Sequence, residues 1–210
     1  MIMINELIKR YPMLDACRED IEKTLEAIIS CYERGGKLLL CGNGGSAADC
    51  DHIVGELMKG FLKKRPLSDE KKAEMTTLSP SLDTELLARL QSGLPAVSLP
   101  SLSILNSAFC NDVDPSLIYA QSVLGLGKKG DLLIAISTSG NAENVAAAVK
   151  VARGIGMTTV CLTGESGGKL RALADICICT PEKETFKIQE LHLPIYHLLC
   201  AAVENHFFAE

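Results

Sequence analysis

The chain has 210 residues, 47% of them hydrophobic but only 4% aromatic, and a formal net charge of −5. That length suits one large domain, residues 1–210, with a core of its own. The acidic balance, with no basic stripe carrying interleaved aromatics, argues against nucleic acid as a partner.

No apolar run approaches the roughly 20 residues that span a bilayer, so no membrane partner is expected. Met1 to Arg10 already contains Asn, Glu, Lys and Arg, unlike a signal peptide. The nine cysteines are odd in number and show no repeating spacing. A cytoplasmic chain with reduced thiols is therefore expected.

The elements follow from periodicity. Residues 5–34 read as a helical region, with Ile21, Leu25, Ile28 and Ile29 at helical spacing and Gly35-Gly36 as its stop. A first strand over 37–41 runs into Gly42-Asn43-Gly44-Gly45-Ser46, and a helix follows over 47–60. The basic cluster Lys59, Lys63, Lys64 and Arg65 reads as a solvated helix end. Residues 67–92 form a helical insertion: a charged stretch, then Ser79-Pro80 as a helix cap, then a stripe of Leu82, Leu86, Leu87 and Leu90 ending at Gly93. It is expected to pack on the surface or on another subunit rather than to act as a lid. A short strand over 96–99 precedes helices over 102–109 and 115–124. The third strand, 131–136, opens into Ser137-Thr138-Ser139-Gly140 and a helix over 141–154. Strands over 158–162 and 175–179 and a last helix over 185–207 complete the chain. Strands alternating with helices predict an α/β fold: a doubly wound, parallel, five-stranded sheet, with N-terminal helices and the insertion as additions.

Both glycine-rich turns follow a buried apolar strand and open a helix. Such turns aim free backbone N–H groups and the positive end of a helix dipole at one point, where a phosphate belongs. The first turn lacks the GxGxxG spacing and no Gly-Lys-Ser/Thr follows, so neither a dinucleotide nor a Walker site is indicated. Ser137, Thr138 and Ser139 offer three hydroxyls to one phosphate group, which suits a sugar phosphate. In a doubly wound sheet, ligands bind beyond the carboxyl ends of the strands, where both turns lie.

Four histidines are present: His52, His192, His197 and His206. His52 and Glu56 share one helix face, one turn apart, and suit either metal binding or acid–base chemistry. Gln189 and His197 lie about 80° apart in helical phase and about 12 Å apart along the axis. Zinc bonds are about 2 Å long. One small site using both is therefore expected to draw on two chains, or on a helix bent at Pro194. His197, among Leu193, Leu198, Leu199 and Cys200, otherwise reads as a core histidine. Cys177 and Cys179 share a strand face but lack a second pair, and with Cys41 and Cys161 read as small buried hydrophobes.

Cys41-Gly-Asn-Gly-Gly-Ser-Ala-Ala-Asp49, His52-Ile-Val-Gly-Glu56, Asn111-Asp112, Ile136-Ser-Thr-Ser-Gly-Asn141, Leu162-Thr-Gly164 and Ile188-Gln-Glu-Leu-His192 through His197 resemble the sugar isomerase (SIS) family and, within it, the phosphoheptose isomerases. The resemblance covers residues 15–207 apart from the insertion. It implies an aldose–ketose isomerase converting sedoheptulose 7-phosphate to D-glycero-D-manno-heptose 7-phosphate, and a homotetramer with active sites shared between subunits. It assigns acid–base roles to Glu56 and His197. It assigns substrate contacts to Asn43, Gly44, Gly45, Ser46, Glu56, Asn111, Asp112, Ser137, Thr138, Ser139 and Gln189. It assigns zinc to His52, Glu56, Gln189 and His197, a mixed set expected to lose metal on purification. Ala142 stands where the family usually has a phosphate-contacting serine, and short members lack the 67–92 insertion. Two other readings compete. One is an isomerase of another sugar phosphate. The other is a non-catalytic relative that regulates replication initiation by binding the initiator protein. Such relatives lack the catalytic Glu and the final His, both of which this chain keeps.

Overall fold

A computed structural model describes residues 2–208. In chain order the elements are α1 (Ile2–Arg10), a 3-10 turn (Pro12–Cys17), α2 (Arg18–Glu33), β1 (Leu38–Gly42), α3 (Gly45–Met58), α4 (Asp69–Leu78), α5 (Thr84–Arg89), β2 (Ala96–Ser98), α6 (Ser103–Asp112), a 3-10 turn (Pro115–Leu117), α7 (Ile118–Leu126), β3 (Leu132–Ile136), α8 (Glu143–Gly154), β4 (Thr158–Thr163), α9 (Leu170–Leu173), β5 (Ile176–Cys179) and α10 (Thr185–Phe207). The five strands form one parallel sheet in the order β2-β1-β3-β4-β5, as the alternating pattern predicts.

The sheet is apolar on both faces because helices cover both. Every residue of β1 and of β3 is buried, the continuous run typical of parallel strands. Leu38, Leu40, Leu132, Ile134 and Ile136 join the core under α1, α2, α3 and α10, whereas Leu39, Cys41, Leu133 and Ala135 join the core under α7, α8 and α9. Strand order reverses at β1: β2 lies on one side and β3 on the other. Gly42 pairs in register with Ile136, so the two glycine turns leave the sheet side by side at this switch point.

Three local expectations change. The N-terminal helical region is two helices, broken where Pro12 opens a 3-10 turn. The insertion is also two helices, capped by Ser68 and Asp83 through bonds to the amides of Lys71 and Leu86. Ser79-Pro80 lies in the connection, not at a helix start. Of its leucine stripe only Leu87 is buried. A Pro66–Gln91 bridge and the Ser92 N–H donating to Arg65 O at 2.7 Å close the base of this excursion.

The third correction concerns the basic cluster. Arg65 is 1% exposed and pairs with Glu204 at 2.7 Å. It is a core residue, not part of a solvated helix end. Nothing local announces this, because its partner lies on the last helix. All nine cysteines are free. Among the described residues no helix is long and apolar enough to cross a membrane.

Candidate active site

The site is built where α3 and α10 run side by side in the same direction. At the start of α3, Gly44 takes φ +55°, a left-handed turn that suits glycine. A Cβ on Gly45 would run into the Gln189 carboxamide of α10. Seven residues further along α3 and eight along α10, His52 and His197 stand edge to face, with ring centroids 5.0 Å apart. One chain thus brings Gln189 to the first turn of α3 and His197 to its later turns. The distance between Gln189 and His197 is taken up along a parallel helix pair. α10 continues through Pro194 as one helix, so one chain sets Gln189 and His197 on the same seam two turns apart and not at one point.

Around His52 the polar atoms form a chain. His52 Nε2 lies 3.2 Å from Glu56 Oε1, and His52 Nδ1 lies 3.1 Å from the Tyr196 hydroxyl. Tyr196 donates to Asp49 Oδ1 at 3.2 Å. Burial raises the Asp49 carboxyl above its usual range, against the opposing pull of the Tyr196 bond and His52. Lys59 Nζ sits 3.2 Å from Glu56 Oε2. His197 packs against Tyr196 and Phe61 as well as His52, with centroids at 5.0 and 5.6 Å. Burial and then the neighbouring His52 lower the His197 pKa, with Glu56 pulling the other way. Its Nε2 is buried without a hydrogen-bond partner.

The donor set suits zinc chemically: two imidazoles, a carboxylate and an amide oxygen. If Tyr196 gives its one proton to Asp49, it accepts from His52 Nδ1–H. Nε2 then faces a carboxylate oxygen, and a proton or a cation belongs between them. The orphaned Nε2 of His197 nearby is a further open donor. Among the described residues, however, no three His, Cys, Asp or Glu side chains converge on a single point. Gln189 stands two turns away, at the glycine turn. The chemistry of a metal site is present, and a closed cage is not.

The turn after β1 is braced by Asn43, whose amide exchanges two 2.9 Å hydrogen bonds with the Asn144 amide at the start of α8. Tyr119 donates to Gly42 O at 2.7 Å. Ser46 is buried in the first turn of α3. At the second turn Ser137 is buried, Thr138 is half-buried and Ser139 is exposed. Gly140 takes φ +65° and packs against Gly167. α8 begins at Glu143 with Ala142 as its N-cap, which has no side chain to bond the first amides. The Val145 amide donates to Asn144 Oδ1 at 2.9 Å, so only the Glu143 and Asn144 amides at this helix start lack an acceptor among the described residues. Asn111 and Asp112, at the end of α6, are exposed and bond each other at 2.8 Å. The contacts described do not tie them to His52, Glu56, Gln189 or His197.

His192 is enclosed. Its Nε2 lies 3.2 Å from Thr163 O, and burial pushes its pKa down to about 4. A groove of about 380 Å³ also borders His197, lined chiefly by Met3, Leu7, Tyr11, Phe61 and Leu193. Neither glycine turn lines it. Sequence reasoning missed Asp49, Tyr196, Asn144 and the Arg65–Glu204 pair. Asp49, one turn before His52, and Tyr196, next to His197, were detectable as polar neighbours of suspected residues.

Two SIS-domain family models match the chain, over residues 105–202 and 4–92. A phosphoheptose isomerase of Roseiflexus sp. (strain RS-1) is 39% identical over 185 residues, covering 88% of this chain and 81% of the relative. One from Helicobacter pylori (strain HPAG1) is 35% identical over 216 residues, covering 98% of each. Among solved structures, the phosphoheptose isomerase of Francisella tularensis superposes with a TM-score of 0.77 at 31% identity, covering 93% of this chain and 91% of that one. That of Neisseria gonorrhoeae gives 0.75 at 30%, covering 96% and 94%.

Proposed function

The chain belongs to the SIS family, among the phosphoheptose isomerases, and on that footing we propose that it interconverts sedoheptulose 7-phosphate and D-glycero-D-manno-heptose 7-phosphate through the Glu56–His197 seam. The observation that carries this reading is the meeting of His52 and Glu56, on the helix that the first glycine turn opens, with His197 of α10, while the two glycine turns leave the sheet side by side.

Aldose–ketose isomerisation moves a proton between adjacent carbons through an enediol. Glu56 takes the proton from one carbon and returns it to the other. His197, with a neutral imidazole and an unclaimed Nε2, shuttles a proton between the two sugar oxygens. Each well-placed acid or base contributes about 10²- to 10⁴-fold. The hydroxyls of Ser137, Thr138 and Ser139 and the first amides of α8 hold the phosphate. Gly44, Gly45 and Gln189 hold the sugar end, with Asn43 and Ser46 shaping the turn. His52, Glu56 and His197 would offer zinc its donors in this seam, with Gln189, two turns away, as the further donor that the resemblance implies, and zinc there would polarise the sugar oxygens. A homotetramer is part of the proposal. α6 buries none of its residues, and Ile104, Val113 and Leu124 are 83%, 65% and 59% exposed. A neighbouring subunit on that surface would bring Asn111 and Asp112 to a shared site.

Purified protein offered a panel of five- to seven-carbon sugar phosphates tests the reading. Turnover of the heptulose phosphate well above that of the shorter sugars is expected. Turnover of a shorter sugar alone would move the assignment within the family. No turnover of any would favour the non-catalytic, initiator-binding alternative.

A further inference from the structure

The most enclosed charges in the molecule lie outside the reacting groups, yet they end on both of them. Arg65 and Glu204 have side chains 0% and 1% exposed. Arg65 Nε donates to Glu204 Oε1 at 2.7 Å, Nη1 donates to Leu57 O at 2.7 Å, and Nη2 donates to Glu56 O at 3.1 Å. One planar guanidinium thus closes the last carbonyls of α3, including that of Glu56. Glu204 in turn accepts the amides of Phe61, Leu62 and Lys63 at 2.8, 2.7 and 3.1 Å. The Phe61 ring then packs 5.6 Å from the His197 ring. Glu204 follows His197 by two turns of α10, about 10 Å on and on nearly the same face.

We infer that Arg65 and Glu204 are positioning residues for the isomerisation proposed above: their buried pair fixes the end of α3, which carries Glu56, against α10, which carries His197. The inference rests on that reading of Glu56 and His197. A buried ion pair is a poor choice for stability alone, since well-packed apolar residues of similar volume often do as well or better. Apolar packing would hold the two helices together but would leave their relative register loosely set. A guanidinium has fixed donor directions. Here those directions are shared between a carboxylate on one helix and two carbonyls on the other. That sets where the Glu56 carboxylate stands relative to the His197 imidazole. Both must meet one substrate, and a displacement of about 1 Å at such a site costs on the order of 100-fold in rate.

Arg65→Lys keeps the charge but cannot reach three acceptors in fixed directions. The double variant Arg65→Met with Glu204→Gln leaves no lone buried charge and keeps an acceptor for the loop amides, so a stable fold is expected from it. Both are expected to lower kcat by about 10- to 100-fold, with KM changed less than about threefold. In a Glu56→Gln background Arg65→Lys is expected to cost nothing further, because the group being positioned is already gone. Wild-type kcat in both variants would overturn the inference. So would a loss that multiplies fully with that of Glu56→Gln, which marks a purely structural role. The ring resonances of His197 report the same geometry without turnover. Arg65→Lys is expected to shift them while leaving those of His206 in place. If the wild type converts no heptulose phosphate, the functional reading fails on its own. The His197 resonances then decide this inference, and unshifted signals overturn it.

Discussion

The turn after β1 and the turn after β3 leave the same edge of the sheet side by side, and they share a plan: buried strand, small residues, helix. They differ in what is tied down. The first is already engaged by protein groups. Asn43 is paired with Asn144, the Gly42 carbonyl accepts from Tyr119, and Gly45 is flush against Gln189. The second is tied through its backbone, with Gly140 against Gly167, Thr138 O accepting from the Gly164 amide and Gly140 O from the Leu170 amide, but it keeps three hydroxyls and a helix start whose N-cap, Ala142, has no capping side chain. The helices that follow diverge in the same way. α8 turns Val145, Ala148, Val149 and Ala152 into the core, while α3 carries Asp49, His52 and Glu56 along its seam with α10. On the proposed reading, two copies of one folding device serve different ends: the second would grip a phosphate, and the first launches the helix that would carry the chemistry. Variants at the first are therefore expected to change kcat, and variants at the second KM.

The largest expected effect is at Glu56. Glu56→Gln should lower kcat by about 10²- to 10⁴-fold, with KM within a few-fold of wild type and an unchanged melting curve. Steady-state kinetics with the heptulose phosphate checks it, and a loss expressed in KM alone would erase the contrast between the turns.

A second test singles out His192 among the three histidines of α10. His192 is held neutral by burial, with its pKa near 4 against an ordinary 6.5. The unfolded chain therefore binds a proton first as pH falls. The stability from this group is complete above about pH 6.5, declines below it and is gone once pH passes about 4, a difference of about 3 kcal/mol. His192→Gln keeps a donor for Thr163 O and should remove that contribution. Urea unfolding of both proteins between pH 7 and pH 4 would show it as a flatter pH dependence in the variant. Equal slopes would show that the site is more open than the structure indicates.

At the second turn, Ser137→Ala combined with Ser139→Ala should raise KM by about 10- to 100-fold through lost charged hydrogen bonds, with kcat changed far less. Zinc sharpens the first turn's side of the comparison. Added to chelator-treated protein, it should raise the melting temperature, and His52→Ala should abolish that rise. An unchanged wild-type melting curve at saturating zinc would remove metal from the proposal. The smallest effect is expected at Ala142. Its backbone already has extended N-cap geometry at φ −60° and ψ 120°. Ala142→Ser should therefore add about 1 kcal/mol through a cap bond, seen as a rise of a few degrees in Tm.

Local patterns carried most of the fold. The apolar runs of β1 and β3, the glycine turns and the His52–Glu56 spacing are all short-range signals, and the structure keeps them. Groups joined across helices were not legible. Helical geometry sets Gln189 and His197 about 12 Å apart, but only the packed structure shows α3 alongside, meeting one at Gly45 and the other at His52. Arg65 looked like one more surface cation because Glu204, its partner, stands 139 residues away. Glu204 was a weak clue, a carboxylate two turns beyond His197 on an apolar face, but a single charge on such a face does not name its partner. The caps of the insertion were misplaced because Ser79-Pro80 and Asp83 both carry start signals, and only the Asp83 side chain reaches a helical amide.

The central claim is that Glu56 moves a substrate proton between neighbouring carbons. Nuclear magnetic resonance of the sugar phosphates equilibrated in D₂O tests it most directly. Wild-type protein is predicted to build up deuterium at C2 of the aldose phosphate, and Glu56→Gln to bind the sugar with no measurable exchange. Wild-type exchange or turnover by Glu56→Gln would contradict it.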